Sequence, residues 1–326
     1  MQLKAVQGLQ EKGEGKTLKI LVTGGCGNIG PHVVKSLKDK GHEIRVVDIN
    51  EEGLKKLAAP GIETMAGDIS NKDFIFEAVK GMDAVIHLAW SFSNNILELF
   101  DVDVRGYAYI LDAAEKYNVE HVINASTAVV YGKPQYSPVD ENHPRIVEKA
   151  RKPMYALAKL VTEKLGTIYA LEKDMAINTI MIWYAYGNEI GGKHLRNMVK
   201  SAILEGKIVV PKDCGGSFLQ LDDLVAGIEG IFKYKPKGEL FNLATIYLTW
   251  EELAKLIVER ANPNAQVVAV PKEEWTGSTF LTDDWEFSTK KAEEMLGYKT
   301  HLSKDEAVKH LGKALEVCIA EVKASL

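Results

Sequence analysis

Leu18-Lys19-Ile20-Leu21-Val22-Thr23-Gly24-Gly25-Cys26-Gly27-Asn28-Ile29-Gly30 is the stretch that decides the fold. A short apolar run ends in a cluster of glycines, and Val33, Val34 and Leu37 then recur at helical spacing. The order is strand, tight turn, helix. Gly25, Gly27 and Gly30 fill the pattern G-x-G-x-x-G in the context that makes it informative. Side chains at these positions would block a pyrophosphate from the backbone, and the helix that follows points its free N–H groups and positive dipole end at an anion.

The chain on either side extends this reading. Glu43 to Asp48 is a second strand ending in an acid 18 residues after Gly30, where a carboxylate accepts hydrogen bonds from both adenosine ribose hydroxyls. An acid there repels a 2′-phosphate, so Asp48 favours NAD over NADP. A helix over 51–57 and a third strand from Glu63 to Ile69 follow, with Asp68 at the strand exit facing the adenine. Asp83 to Trp90 is apolar without alternation, as in a parallel strand buried on both faces. His87 inside it reads as a hydrogen-bonded core histidine, and Ala89 is small enough to let a dinucleotide pass. Ile96, Leu99, Val102, Ala108, Leu111 and Ala114 mark a long helix over 95–117, and Val122 to Ala125 is a fifth strand. Strands alternating with helices predict an α/β fold of the Rossmann type, a doubly wound parallel sheet with ligands at the carboxyl ends of its strands. A small C-terminal α/β substrate lobe completes it.

A chain of 326 residues with 46% hydrophobic and 26% charged residues suits one main domain with an appendage. The net charge of −5 gives no surplus of Lys and Arg for nucleic acid. Three cysteines, Cys26, Cys214 and Cys318, at wide spacings argue against a disulfide framework and fit a cytoplasmic protein. No window holds the roughly 18 or more apolar residues of a membrane span, and the polar start lacks the centre of a secretory signal. The expected division is a flexible N-terminal arm over 1–17 and a nucleotide-binding domain over 18–186, to which 218–261 returns. The substrate lobe then takes 187–217 and 262–326.

Two later stretches carry the chemistry. Ser126-Thr127 leaves the fifth strand, and Pro153-Met154-Tyr155-Ala156-Leu157-Ala158-Lys159 opens a helix, with proline suited to its first turn. Tyr155 and Lys159, one turn apart, project from the same face. Tyr169 and Lys173 repeat that spacing in the same helix, so spacing alone decides nothing. Fourteen residues place the second pair roughly 21 Å further along the axis.

Thr23 to Gly30, Asp48, Asp68-Ile69, His87-Leu88-Ala89, Ser126-Thr127 with Val130-Tyr131-Gly132, and Tyr155-x-x-x-Lys159 together resemble the extended short-chain dehydrogenase/reductase family, which includes NAD-dependent sugar epimerases and dehydratases. The resemblance spans the order and spacing of motifs over nearly the whole chain. It implies Tyr155 as the base, its phenol lowered from the usual value near 10 by the Lys159 ammonium. It implies Thr127 as donor to the reacting oxygen with Ser126 beside it, and Lys159 holding nicotinamide ribose hydroxyls. The implied cofactor contacts are Gly24, Gly27, Asn28, Ile29, Gly30, Asp48, Asp68, Ile69, Leu88, Ala89, Tyr155, Lys159, Tyr184 and Tyr186. A homodimer through the helices near 95–117 and 153–172 is also implied.

Departures from the family narrow the function. Its 4,6-dehydratases follow the catalytic Thr with Asp-Glu, whereas Ala128-Val129 stands here, which removes the acid and base for losing water. Trp183-Tyr184-Ala185-Tyr186-Gly187 replaces an Asn-Val-Tyr-Gly-Pro stretch. Phe218-Leu219-Gln220-Leu221-Asp222-Asp223 resembles a segment that an Arg precedes to grip a diphosphate, and Gly216 stands at that Arg position. Without the guanidinium a bidentate phosphate contact is lost, which favours a smaller or less charged substrate, touched by Trp90, Trp183 and Gln220. Asp222 and Asp223 are expected to cap a helix over 224–232. The expected function is NAD-dependent hydride transfer at a secondary alcohol of a sugar or sugar-like small molecule, as oxidoreductase or epimerase. Two alternatives stand beside it: a dehydrogenase of a steroid- or flavonoid-like compound, and a non-enzymatic NAD-sensing protein on the same fold.

Overall fold

The computed structural model describes residues 16–326, so nearly all of the expected N-terminal arm lies outside the described residues. β1 (Lys19–Thr23), α1 (Gly30–Asp39), β2 (Glu43–Asp48), α2 (Glu51–Leu57), β3 (Ile62–Ala66), α3 (Lys72–Val79) and β4 (Ala84–His87) alternate as the apolar pattern requires. α4 (Ile96–Glu98) runs through a π-helical stretch into α5 (Arg105–Lys116), followed by β5 (His121–Thr127), α6 (Pro153–Lys173), β6 (Ala176–Ile182) and β7 (Tyr184–Tyr186). The remainder is α7 (Lys193–Leu204), β8 (Lys207–Pro211), β9 (Gly215–Gln220), α8 (Leu221–Tyr234), β10 (Leu240–Asn242), β11 (Ile246–Thr249) and α9 (Trp250–Ala261), then β12 (Gln266–Val270), β13 (Asp284–Trp285), α10 (Lys290–Leu296) and α11 (Lys304–Ala324).

Seven strands form one sheet in the order β10-β6-β5-β4-β1-β2-β3, every pair parallel. The order reverses between β1 and β4, which opens a crevice at their carboxyl ends. Both faces are covered, and for that reason β4 and β6 are buried from end to end. Val33, Val34 and Leu37 of α1 and Leu224, Ile228 and Ile231 of α8 fill one face. Ile75 and Val79 of α3, with Tyr107, Ile110 and Leu111 of α5, fill the other. Each such side chain contributes roughly 1.5–3 kcal/mol by leaving water.

A second core gathers Leu195 and Val199 of α7, Trp250 and Leu253 of α9, and Leu311 and Leu315 of α11. Its sheet is built on β9, with which β7, β11 and β13 all pair. The boundary therefore differs from the expected one. From 218–261 only α8 and β10 return to the large sheet, while β11 and α9 are fixed to the second core by their pairing with β9 and their buried face. Ala292, Leu296 and Tyr298, in or just after α10, go the other way and pack in the first core.

Three local expectations are also corrected. The third strand stops at Ala66, and Gly67 N–H makes its last bond to β2, to the Asp48 carbonyl at 3.0 Å. The helix over 95–117 is broken by a π-helical stretch, Leu99–Val104, whose wider turn carries Asp103 inward. α8 begins at Leu221, and its cap is Gln220 rather than Asp222 or Asp223: the Gln220 side-chain carbonyl accepts from Asp222 N at 2.6 Å and Asp223 N at 3.2 Å.

Candidate active site

The glycine turn sits at the mouth of the crevice. Gly24 has φ +68°, and a Cβ there would lie 2.5 Å from the Ala89 backbone, so only glycine lets β1 and β4 exit side by side. Ile29 at the start of α1 offers no side-chain cap, which leaves the helix N–H groups free. The Asp48 carboxylate accepts from Cys26 N at 2.9 Å and Asn50 N at 2.9 Å, holding the acid beside the turn with lone pairs to spare. Exposed Gly27 and Asn28 line the outer side of the turn. Free donors, an open backbone and a fixed acid fit a dinucleotide. Asp68 is exposed and accepts from Ser70 N at 2.8 Å, while Ile69 is buried beneath α5. Leu88 and Ala89 are partly buried at the end of β4.

His87 is fully buried, bonded to Thr23 Oγ1 at 2.8 Å and stacked on Tyr107. Burial pushes its imidazole down to about 3, and it is a neutral core residue.

Thr127 and Tyr155 meet on the wall of one cavity. Burial, and then the nearby Asp103 carboxylate, push the Tyr155 phenol up to about 12, against the pull of Arg151 and of a hydrogen bond from Thr127. Lys159 is 5% exposed and lies behind them. Its ammonium donates to the Ala125 carbonyl at 2.6 Å and sits 3.7 Å from the centre of the Trp90 indole. Burial brings it down to about 7, opposed by Asp103 and Glu163. Arg151 is a cation that favours the ionised phenol, and the sequence reading named only Lys159 in that part.

Ser126 does not join them. Strand alternation turns it away from Thr127, and its hydroxyl, 4% exposed, donates to the Glu163 carboxyl inside α6. Burial holds that carboxyl above its ordinary value, against Ser126 and Arg145. The second Tyr-Lys pair is tied to α5 instead: Tyr169 Oη donates to Asp112 at 2.5 Å and Lys173 pairs with Glu115 at 2.8 Å.

The cavity, about 220 Å³, is floored by Trp183, Trp285 and Phe280. Trp90 touches it only through Tyr155, which it meets edge-on at 5.6 Å. Gln220 is buried at the head of α8 and does not reach it. Tyr186 is 1% exposed in the second core, and Tyr184 donates to the Gly191 carbonyl, so neither lies on the cavity wall. Aromatics crowd around β7: Trp183, Tyr184, Phe218, Trp250 and Phe280 pack against one another.

Several lining residues escaped the sequence reading. Arg151 lies over Phe280 at 4.6 Å, and Lys133, Lys149, Lys152 and Asp283 share the wall. Asp103 accepts from Ser91 N at 2.8 Å and Ser91 Oγ at 2.7 Å, fixing the segment between Trp90 and Phe92.

A doubly wound sheet with a glycine turn and a Thr-Tyr-Lys set defines a dinucleotide-dependent α/β protein. The chain belongs to the NAD dependent epimerase/dehydratase family, whose model matches residues 20–244. It is 35% identical over 160 residues to a putative UDP-glucose 4-epimerase of Methanocaldococcus jannaschii, a match covering 46% of this chain and 50% of that one. It is 27% identical over 263 residues to a UDP-glucose 4-epimerase of Lactobacillus helveticus, covering 71% and 77%. The Bordetella bronchiseptica enzyme WbmG in complex with NAD has the same fold, with a TM-score of 0.77, 20% identity, and 94% and 97% coverage. The family is NAD-dependent. Among the described residues no helix is long and apolar enough to cross a membrane.

Proposed function

We propose that the chain moves hydride between a secondary alcohol of a sugar-like substrate and NAD, as a dehydrogenase or an epimerase. The observation that carries this reading is Tyr155 and Thr127 on one cavity wall at the carboxyl end of β5, with buried Lys159 one helical turn behind. The glycine turn, the free N terminus of α1 and Asp48 are the groups that hold NAD, with Lys159 toward its nicotinamide ribose. When bound, NAD accepts hydride from the carbinol carbon or returns it.

Thr127 orients the substrate oxygen by a hydrogen bond. Tyr155 takes the hydroxyl proton during oxidation and gives it back to a carbonyl during reduction. A phenol held near 12 is protonated at neutral pH, the state that donates to a carbonyl. Oxidation uses the phenolate, which Arg151 favours and which burial and Asp103 oppose. Loss of water by a 4,6-dehydratase route is disfavoured, because Ala128 is buried and Val129 presents no carboxyl beside Thr127. Pairing of two copies through α5 and α6 is consistent with exposed Leu157, Ile168 and Leu171.

The test is NADH formation from a panel of uronic acids, aldoses, polyols and hydroxysteroids. Tyr155→Phe should abolish turnover on any substrate found while leaving NAD binding intact. Full turnover by that variant would sink the mechanism.

A further inference from the structure

The cavity beside Tyr155 is small and unevenly charged. Its lining carries four basic side chains, Lys133, Lys149, Arg151 and Lys152, against the single carboxyl of Asp283. Among the described residues none of the four makes an ion pair. Arg151 is exposed to the cavity, its guanidinium over the Phe280 ring at 4.6 Å and close enough to act on the Tyr155 phenol. A planar, fixed fork of donors without a protein acceptor matches a carboxylate or phosphate oxygen pair.

The size of the cavity restricts what carries that anion. At about 220 Å³ it falls below the roughly 300–1,000 Å³ of clefts that bury drug-sized ligands. The second-lobe side cannot extend it, since Trp183 lies parallel to Phe280 at 5.7 Å and a Cβ on Gly216 would already strike the indole. The volume holds a single sugar ring, and the closed second-lobe side leaves no room there for an attached nucleotide diphosphate.

We propose that the substrate is a compact anionic sugar, a monosaccharide bearing a carboxylate or phosphate, and that Arg151 is the residue that selects its charge. This rests on the hydride-transfer reading of the same site. The anion engages Arg151 with Lys149 and Lys152 at the rim, the ring lies on Trp183 and Trp285, and its hydroxyl faces Thr127 and Tyr155.

Binding is read by quenching of tryptophan fluorescence with NAD present, using glucuronate, glucose 6-phosphate, glucose and UDP-glucose as probes. One of the two anionic monosaccharides should bind about tenfold or more tighter than glucose. Comparing them separates carboxylate from phosphate recognition. Arg151→Gln should remove that preference, lowering anion affinity far more than glucose affinity, and Arg151→Lys should restore part of it. Equal binding of glucose, tighter binding of UDP-glucose, or a preference that survives Arg151→Gln overturns the proposal. Turnover is scored separately: an Arg151-dependent anion that binds but is never oxidised or epimerised leaves charge selection standing and refutes hydride transfer. Oxidation of a neutral sugar that requires Tyr155 does the reverse.

Discussion

Gly216→Ala tests whether the closed end of the cavity is a packed wall. A Cβ at this position would fall 2.2 Å from Trp183 Cη2 and 2.4 Å from two neighbouring ring carbons. Ordinary carbon contacts are about 3.5–4.0 Å, so the indole must retreat by more than about 1 Å. It has little room, because Phe280 lies parallel at 5.7 Å, Phe218 edge-on at 5.3 Å and Trp250 at 5.7 Å. Overpacking of this kind costs about 1–3 kcal/mol, and the stiffer unfolded chain of alanine returns about 0.4–1 kcal/mol. The net loss should be about 1–2 kcal/mol, or about 2–3 °C in Tm for a chain of this size. The displaced ring also narrows the cavity, so sugar binding should weaken several-fold while NAD binding holds. Thermal unfolding by circular dichroism and tryptophan fluorescence read the two effects. A variant as stable as the parent, with unchanged fluorescence and sugar affinity, would refute the packed-wall account.

Three more outcomes follow from the same geometry. Oxidation should quicken as pH rises through the neutral and alkaline range, since its base is a phenolate whose parent phenol is held near 12, whereas reduction should not. Asp103→Asn removes the anion that raises Tyr155 and so should move that rise to lower pH; it should cost about 1 kcal/mol as the Ser91 hydrogen bonds lose their charge. A pH–rate profile unmoved by the substitution would count against Asp103 acting on the phenol. Tyr169→Phe, the matched control, gives up the Asp112 hydrogen bond and should lower stability by about 1–2 kcal/mol with turnover unchanged. Lost turnover in that variant would mean that the second Tyr-Lys pair is not merely structural.

The large sheet was legible because its signals are local. Glycines at 24, 25, 27 and 30, an acid at 48 and unbroken apolar strands each state their role within a few residues. The second lobe is non-local: β9 gathers partners from 184–186, 246–249 and 284–285, and no periodicity reports such pairings. That is why the sequence pattern places β11 and α9 with the large sheet and the structure places them with the second core. Asp103 was hidden for another reason. A π-helical turn adds a residue to the period, and a stripe read at 3.6 passes over it. Ser126 and Thr127 are neighbours in sequence, and strand alternation sends one into α6 and the other to the cavity wall, so the motif overstated the site by one hydroxyl. Tyr184, Tyr186 and Gln220 were placed by analogy with a pattern whose companions, Asn and Arg, are absent here. Aromatic rings occupy this region instead.

That replacement also bears on the electrostatics. The Tyr-Lys spacing suggests an ammonium that drags a phenol toward ionisation, yet both groups are buried, and burial penalises whichever form is charged. Lys159 comes down to about 7 and Tyr155 goes up to about 12. The inner pair therefore drifts toward neutrality, and the polarity of the site must come from its rim. Arg151 supplies it from the loop that enters α6, four residues before the phenol it acts on, while the filled second lobe offers no diphosphate contact at Gly216. Charge at this site is carried by the helix-entry loop, so binding an anion at Arg151 would draw off a cation that favours phenolate. An anionic substrate should then be met by a neutral Tyr155, and on this arrangement its carbonyl form, which needs a proton donor, is the partner the resting site suits best.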